Sequence, residues 1–207
     1  MPERPLTTSA YIALGLLTTQ DRSAYELAEQ VGRGVDQLWP RADRQRYITP
    51  KRLLEAGLVT SRTEASGRRT RTVYSITPAG REALRQWFSS EAQPAALEFE
   101  GMIRLLLAEQ ATLDELRATL TGIRQQAVTA RRMFASHARY IAETGGTFPE
   151  RRHLFALANT FMIGHYDHIV GWVDWALEQT SSWPDTVTPA GDDEQVLRML
   201  APGIAAR

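Results

Sequence analysis

Between Gly57 and Thr77 the hydrophobic period of this chain changes. On either side, apolar residues recur at helical spacing. Leu58-Val59-Thr60-Ser61-Arg62-Thr63 and Thr70-Arg71-Thr72-Val73-Tyr74-Ser75-Ile76 instead alternate, with Ala65-Ser66-Gly67-Arg68 as turn chemistry between them. This reads as one two-stranded hairpin, tipped with arginines, in an otherwise helical chain.

Three helices are expected before the hairpin. Thr8 to Gln20 carries Tyr11, Ile12, Leu14, Leu16 and Leu17 at helical spacing. Asp21-Arg22-Ser23 is a turn, and Ser23 with Glu26 forms a capping box that opens a second helix, Ala24 to about Asp36, with Tyr25, Leu27, Ala28 and Val31 inward. A third runs from about Ala42 to Ala56, anchored by Leu53 and Leu54 and stopped at Gly57. Pro50 falls inside it and is expected to kink or split it. After the hairpin, Thr77 as N-cap and Pro78 at the first helical position open a fourth helix, with Leu84, Trp87 and Phe88 inward. Helix, helix, helix, basic hairpin, helix is the order of a winged helix-turn-helix, with the third helix as the candidate for a DNA major groove.

The charge distribution agrees. The 207-residue chain is formally neutral, but Met1 to Phe88 holds 14 basic residues against 9 acidic, leaving 10 against 15 for the remainder. From residue 41 to 71, nine cations face only Asp43, Glu55 and Glu64. A locally basic module joined to a neutralising one suits a phosphate-binding role. Arg44, Gln45, Tyr47 and Lys51 are expected on or near bases, with Arg46 and Arg52 nearer the backbone. Arg68, Arg69 and Arg71 of the hairpin are expected to reach phosphates or a narrow minor groove.

At this point the residues resemble a known family, the PadR-type transcriptional regulators, from about Thr8 to Phe88. Ser23-Ala24-Tyr25-Glu26-Leu27 is similar to that family's opening of the second helix. Tyr47, Lys51-Arg52-Leu53 and Gly57-Leu58-Val59 match its recognition-helix and strand signature. Gly67-Arg68-Arg69, then Val73-Tyr74-Ser75-Ile76-Thr77-Pro78-Ala79-Gly80 and Trp87, resemble its wing and fourth helix. Ala24 replaces the usual glycine, Pro50 stands where leucine is common, and Ile48 where proline is common. The resemblance implies a dimeric, repressor-like regulator that responds to small, often aromatic or drug-like compounds.

The second half reads as wholly helical. Pro94-Ala95-Ala96 is a linker, followed by a short apolar helix from Phe99 to about Gln110. Thr112 and Glu115 form a second capping box. Behind it Leu113, Leu116, Leu120, Ile123, Ala127, Ala130, Phe134, His137 and Ile141 step by three and four, an unbroken heptad seam. Left in water, that stripe is too large for a monomer, so a second copy is its expected cover; packing on the chain's own last helix is the alternative. Gly145-Gly146 turns the chain into that last helix, about Pro149 to Gln179. Phe161, His165, Trp172 and Trp175 on one of its faces are expected to line a pocket for a small aromatic effector. His165 and His168 lie one turn apart, but Asp167 points away from them, and neither metal nor cofactor is expected. Asp185 to Arg207 has little pattern beyond a short helix at Asp192 to Leu200.

The expected architecture is therefore mainly α: a winged-helix DNA-binding domain over 1–90, a helical dimerisation and effector domain over 91–180, and a tail over 181–207. The expected partners are double-stranded DNA, a second copy and a small-molecule effector. No segment is long and apolar enough to span a bilayer, and there is no cysteine, so a soluble cytoplasmic protein is expected. Two other function classes make different demands on the sequence. An enzyme with a winged-helix dimerisation domain would need a glycine-rich cofactor turn, a nucleophile elbow or a phosphate loop, and none is present. A winged helix used only for protein interaction would lack the salt dependence of DNA binding.

Overall fold

The computed structural model describes residues 6–35, 38–39, 49–66, 69–188 and 196–201. The chain divides into two compact units, Met1–Ala95 and Ala96–Arg207, against an expected boundary at 90/91.

In the first unit, α1 (Thr8–Leu17) is capped by Thr7, whose hydroxyl accepts from the Ala10 amide at 3.3 Å. It ends three residues before the expected Gln20. A two-residue strand β1 (Arg22–Ser23) follows where a plain turn was expected. Next comes α2 (Ala24–Gln30), with the full Ser23–Glu26 capping box, and its end winds into a π-turn over Val31–Val35. The described part of the third helix is α3 (Thr49–Glu55); residues 41–48 lie outside the described residues. Pro50 is fully buried and Thr49–Glu55 is helical around it. The ribbon is β2 (Val59–Ser66) and β3 (Arg69–Ile76), antiparallel, with β1 paired to the free side of β3. The sheet thus has three strands, because Arg22 and Ser23 pair with Tyr74 and Val73. No alternation is visible in a two-residue strand, so its partner alone reveals it.

The fourth helix is α4 (Pro78–Phe88), capped by Thr77. Tyr11 of α1 stacks on Trp87 of α4 at 4.8 Å and 8°. Two inward expectations are corrected. Phe88 is 75 % exposed and Tyr25 69 % exposed, because both lie a turn-fraction off the faces defined by Trp87 and by Leu27 and Ala28. The core beneath is Ala10, Leu14, Leu17, Leu27, Leu53, Val59 and Tyr74.

One backbone junction ties the helices to the ribbon. Gly57, at φ +69°, ends α3 in a Schellman turn: its amide donates to Leu54 O at 3.0 Å and the Leu58 amide to Leu53 O at 2.9 Å. The Thr77 amide then donates to Leu58 O, and its hydroxyl to Gly57 O at 2.9 Å. Gly80 lies so close that a β-carbon there would sit 2.2 Å from Leu58 O.

The second unit holds α5 (Glu100–Leu106), a 3-10 turn at Ala108–Gln110, and two long helices, α6 (Leu113–Thr144) and α7 (Arg152–Thr180). The Thr112–Glu115 capping box starts α6, and Gly145 ends it at φ +80°. Part of the heptad seam packs on the chain's own last helix, the alternative that the sequence left open beside a second copy. Leu116, Leu120 and Ile123 share a core with Val173 and Ala176 of α7; Ala127 and Phe134 are also buried. Leu113, Ala130, His137 and Ile141 are half-buried. The segment after α7 belongs to this unit too: Trp183 packs on the same core, and the Thr186 hydroxyl donates to Ala111 O at 2.7 Å. No described helix is long and apolar enough to cross a membrane.

Two glycines give opposite expectations. Gly80→Ala should lower stability by about 1–3 kcal/mol, since the obstacle is a carbonyl and cannot rotate away. Gly15→Ala, with nothing within 4 Å in α1, should raise it by about 0.5–1 kcal/mol. Urea unfolding of both variants against the parent chain checks the pair.

Candidate nucleic-acid interface

The geometry of α3 follows from which of its residues are apolar. Thr49, Pro50 and Leu53 are buried, with Leu53 only 1 % exposed in the core beside Leu14, Leu17 and Val59. With that side fixed inward, Lys51, Arg52 and Glu55 are exposed. Among the described residues neither Lys51 nor Arg52 has an ion-pair partner. Two adjacent cations on the outer face of a short, rigidly seated helix are what phosphate or base-edge contact requires.

The ribbon behaves differently. Arg62 donates from Nη1 to Asp21 Oδ2 at 2.5 Å and to Ser75 Oγ at 2.9 Å, and from Nη2 to Glu64 Oε1 at 2.8 Å. Arg71 donates to Glu26 Oε1 at 2.9 Å and to Glu64 Oε2 at 3.1 Å. The result is a chain of alternating charge, Asp21–Arg62–Glu64–Arg71–Glu26, that binds the ribbon to the start of α2. Hydrogen bonds from the Ser23 backbone and side chain, with the Arg71 charge, hold the Glu26 carboxyl below its ordinary range. Arg62 and Arg71 do the same to Glu64, and Ser75 and Arg62 to Asp21.

The expected contact residues therefore separate. Lys51 and Arg52 are presented outward. Arg71, expected to reach phosphates or a narrow minor groove, is engaged by two carboxylates, Glu26 and Glu64. Arg69 pairs through its backbone with Ser66; its side chain lies outside the described residues. Arg44, Gln45, Arg46, Tyr47 and Arg68 also lie outside them. Arg62, to which the sequence assigned no role, is a hub. Its signal was present: Arg62 and Glu64 alternate on one face of β2, and Glu64 is directly opposite Arg71 on β3.

In the second unit the four expected effector residues share one side of α7. Phe161 is 65 % exposed and stacks on His165 at 6.3 Å; Trp172 packs against the core and Trp175 is 43 % exposed. Asp167 accepts from Arg131, and among the described residues no group of three or more acidic or histidine side chains could hold a metal.

Residues 13–86 match the family model of the transcriptional regulator PadR-like family. The chain is 30 % identical over 96 residues to the negative transcriptional regulator PadR of Bacillus subtilis (strain 168), a match covering 45 % of this chain and 53 % of that protein. The chain thus aligns with about half the length of that relative. Among solved structures, it is similar to Bacillus subtilis PadR in complex with operator DNA, with a TM-score of 0.70 and 21 % identity over 84 % of this chain and 100 % of that one. It is also similar to Bacillus subtilis PadR in complex with p-coumaric acid, with a TM-score of 0.65 and 18 % identity over 86 % and 98 %. At those identities the structures show a shared fold.

The charge chain makes a pH prediction with a definite sign. The carboxyls of Asp21, Glu26 and Glu64 are lowered from ordinary values of 3.8, 4.5 and 4.5. Their stabilisation is therefore present above those values and lost as pH falls through the lowered ones. Glu64→Gln should unfold at lower urea than the parent chain near neutral pH, and the gap should close in acid below about pH 4. A gap that persists unchanged in acid would assign the loss to something other than the charge chain.

Proposed function

We propose that this chain, whose residues 13–86 match the family model of the transcriptional regulator PadR-like family, is a member of that family and a sequence-specific DNA-binding repressor. It works as a homodimer on a near-palindromic operator and is released by a small aromatic effector. The observation that carries this reading is the seating of α3: burial of Thr49, Pro50 and Leu53 leaves Lys51 and Arg52 facing outward as an adjacent cationic pair. Arg44, Gln45 and Tyr47, which precede that pair, are proposed to read base edges, with Arg46 nearer the backbone. The ribbon, stiffened by its own ion pairs, acts as a flanking prong through Arg68 and Arg69.

Because part of the α6 seam is used inside the chain, the contact between copies belongs on another face. The outer side of α7 carries a second pattern of threes and fours: Leu154, Leu157, Phe161, Gly164, His168, Gly171 and Trp175. All seven are exposed, with Leu157 at 72 % and Phe161 at 65 %. Nothing lies within 4 Å of a β-carbon built on Gly164 or Gly171, so a second helix can approach closely there. Pairing through this face sets the spacing of two recognition helices, and HTH dimers read half-sites about 34 Å apart. Phe161, His165, Trp172 and Trp175 border the same face, so the effector pocket is proposed to form between two copies. The solved complex of Bacillus subtilis PadR with p-coumaric acid supports a planar aromatic acid as the first compound to try.

Lys51→Ala with Arg52→Ala should weaken binding to the DNA upstream of the protein's own coding sequence about tenfold or more, and flatten the salt dependence by about one unit per lost phosphate contact. Arg85→Ala, on the exposed side of α4, should bind like the parent. A mobility shift unchanged in the double variant would sink the assignment of α3. Leu157→Asp with Phe161→Asp should yield a monomer in light scattering, while a dimer of unaltered mass would place self-association elsewhere.

A further inference from the structure

The ion-pair chain that ties the ribbon to the start of α2 holds more acid than base. Asp21, Glu64 and Glu26 supply three carboxylates, against the two guanidiniums of Arg62 and Arg71. Glu64 is its joint. Its Oε1 accepts from Arg62 at 2.8 Å and its Oε2 from Arg71 at 3.1 Å, so one side chain holds both cations. Those same contacts keep its carboxyl below the usual range, so it is charged at neutral pH. None of these groups is buried. The side chains of Arg62 and Arg71 are 50 % and 43 % exposed, and Arg71 borders an open cleft of about 650 Å³ whose lining adds Glu26 and Glu29. A phosphate can reach either arginine, but it meets a guanidinium already engaged by two carboxylates.

Building on the DNA-binding reading, we propose that Glu64 is an electrostatic guard. It withholds the two ribbon arginines from DNA phosphates and so lowers the chain's sequence-independent affinity for duplex. That affinity follows the number of phosphates neutralised, because each one releases condensed counterions. With Arg62 and Arg71 engaged and one negative charge in excess, this stretch of the ribbon adds nothing to the number. Lys51 and Arg52, exposed and without ion-pair partners among the described residues, remain available to it. An arginine does not lose its proton in a protein, so only a partner can silence it. Exposed pairs contribute little to folding, and their effect on the outward field is correspondingly the larger consequence.

Glu64→Gln keeps the size and shape of the side chain and removes its charge. On a labelled duplex of random sequence, followed by fluorescence anisotropy across a salt series, it should bind about fivefold or more tightly than the parent chain, with the salt dependence steeper by about one unit. Asp21→Asn, which frees Arg62 from outside the ribbon, should bind about twofold or more tightly and decides the matter if Glu64→Gln fails to fold. Two controls separate the guard from net charge. Glu82→Gln on α4 removes a carboxylate that is likewise paired, with Arg85, and should change binding less than about twofold. In a chain carrying Arg62→Gln and Arg71→Gln, adding Glu64→Gln should do no more than that, because no cation is left to release. A gain of full size in either control overturns the guard. A parent chain that binds duplex while Glu64→Gln binds it no more tightly also overturns the guard and leaves the DNA-binding reading intact. A parent chain that binds no duplex at any salt overturns both.

Discussion

Leu53 is the residue on which the first unit turns. Its side chain is 1 % exposed among Leu14, Leu17, Leu27, Val59 and Tyr74, so α3 meets α1, α2 and the ribbon at one point. Burying a leucine is worth about 2 kcal/mol, but its larger effect here is orientation. A helix with one side fixed inward has no freedom to rotate, and Lys51 and Arg52 are then outward by geometry. The Schellman turn at Gly57 and the approach of Gly80 to Leu58 lock the next segments in sequence. Thus ribbon and α4 are placed relative to α3 by backbone contacts, not by surface charge.

The distribution of charge has a second consequence. A count of arginines makes the ribbon look like the more basic element, yet Arg62 and Arg71 are each held by two carboxylates. Exposed ion pairs of this kind add little stability individually, about 0–1 kcal/mol. Linked as an alternating chain from Asp21 to Glu26, they fix the ribbon against α2 and remove its central cations from the long-range field. On α3, Lys51 and Arg52 are exposed and without an ion-pair partner among the described residues, so a formally neutral protein keeps a local cationic face there.

The second unit uses opposite sides of one helix for different ends. The inner side of α7 closes the α6 seam. The alignment of the two helices is marked by three arginines seven residues apart on α6. Arg117 donates to the carbonyls of Thr180 and Ser181 at the end of α7, Arg124 pairs with Asp174, and Arg131 with Asp167. Seven residues forward on α6 match seven back on α7, the signature of an antiparallel hairpin in one register. The outer side of α7, freed from that task, repeats the three-four spacing with glycines at its centre.

Much of this was legible from the residues alone. Caps at Ser23, Thr77 and Thr112, the stop at Gly57 and the alternation of the ribbon are local signals, and local hydrogen bonding decides them before any tertiary contact forms. The winged order of elements and the cationic third helix follow from those signals. The heptad period of α6 was also plain, but a period states only that a face must be covered, not what covers it. Whether Leu116 and Leu120 meet a second chain or Val173 and Ala176 depends on the turn at Gly145-Gly146 folding α7 back in register. The same limit applies to β1, too short to show alternation, and to Arg62 and Arg71, whose carboxylate partners lie up to 45 positions away. Sequence determined which surfaces are apolar and which charged, because those are properties of residues; only the tertiary structure decided their partners, because pairing is a property of distance.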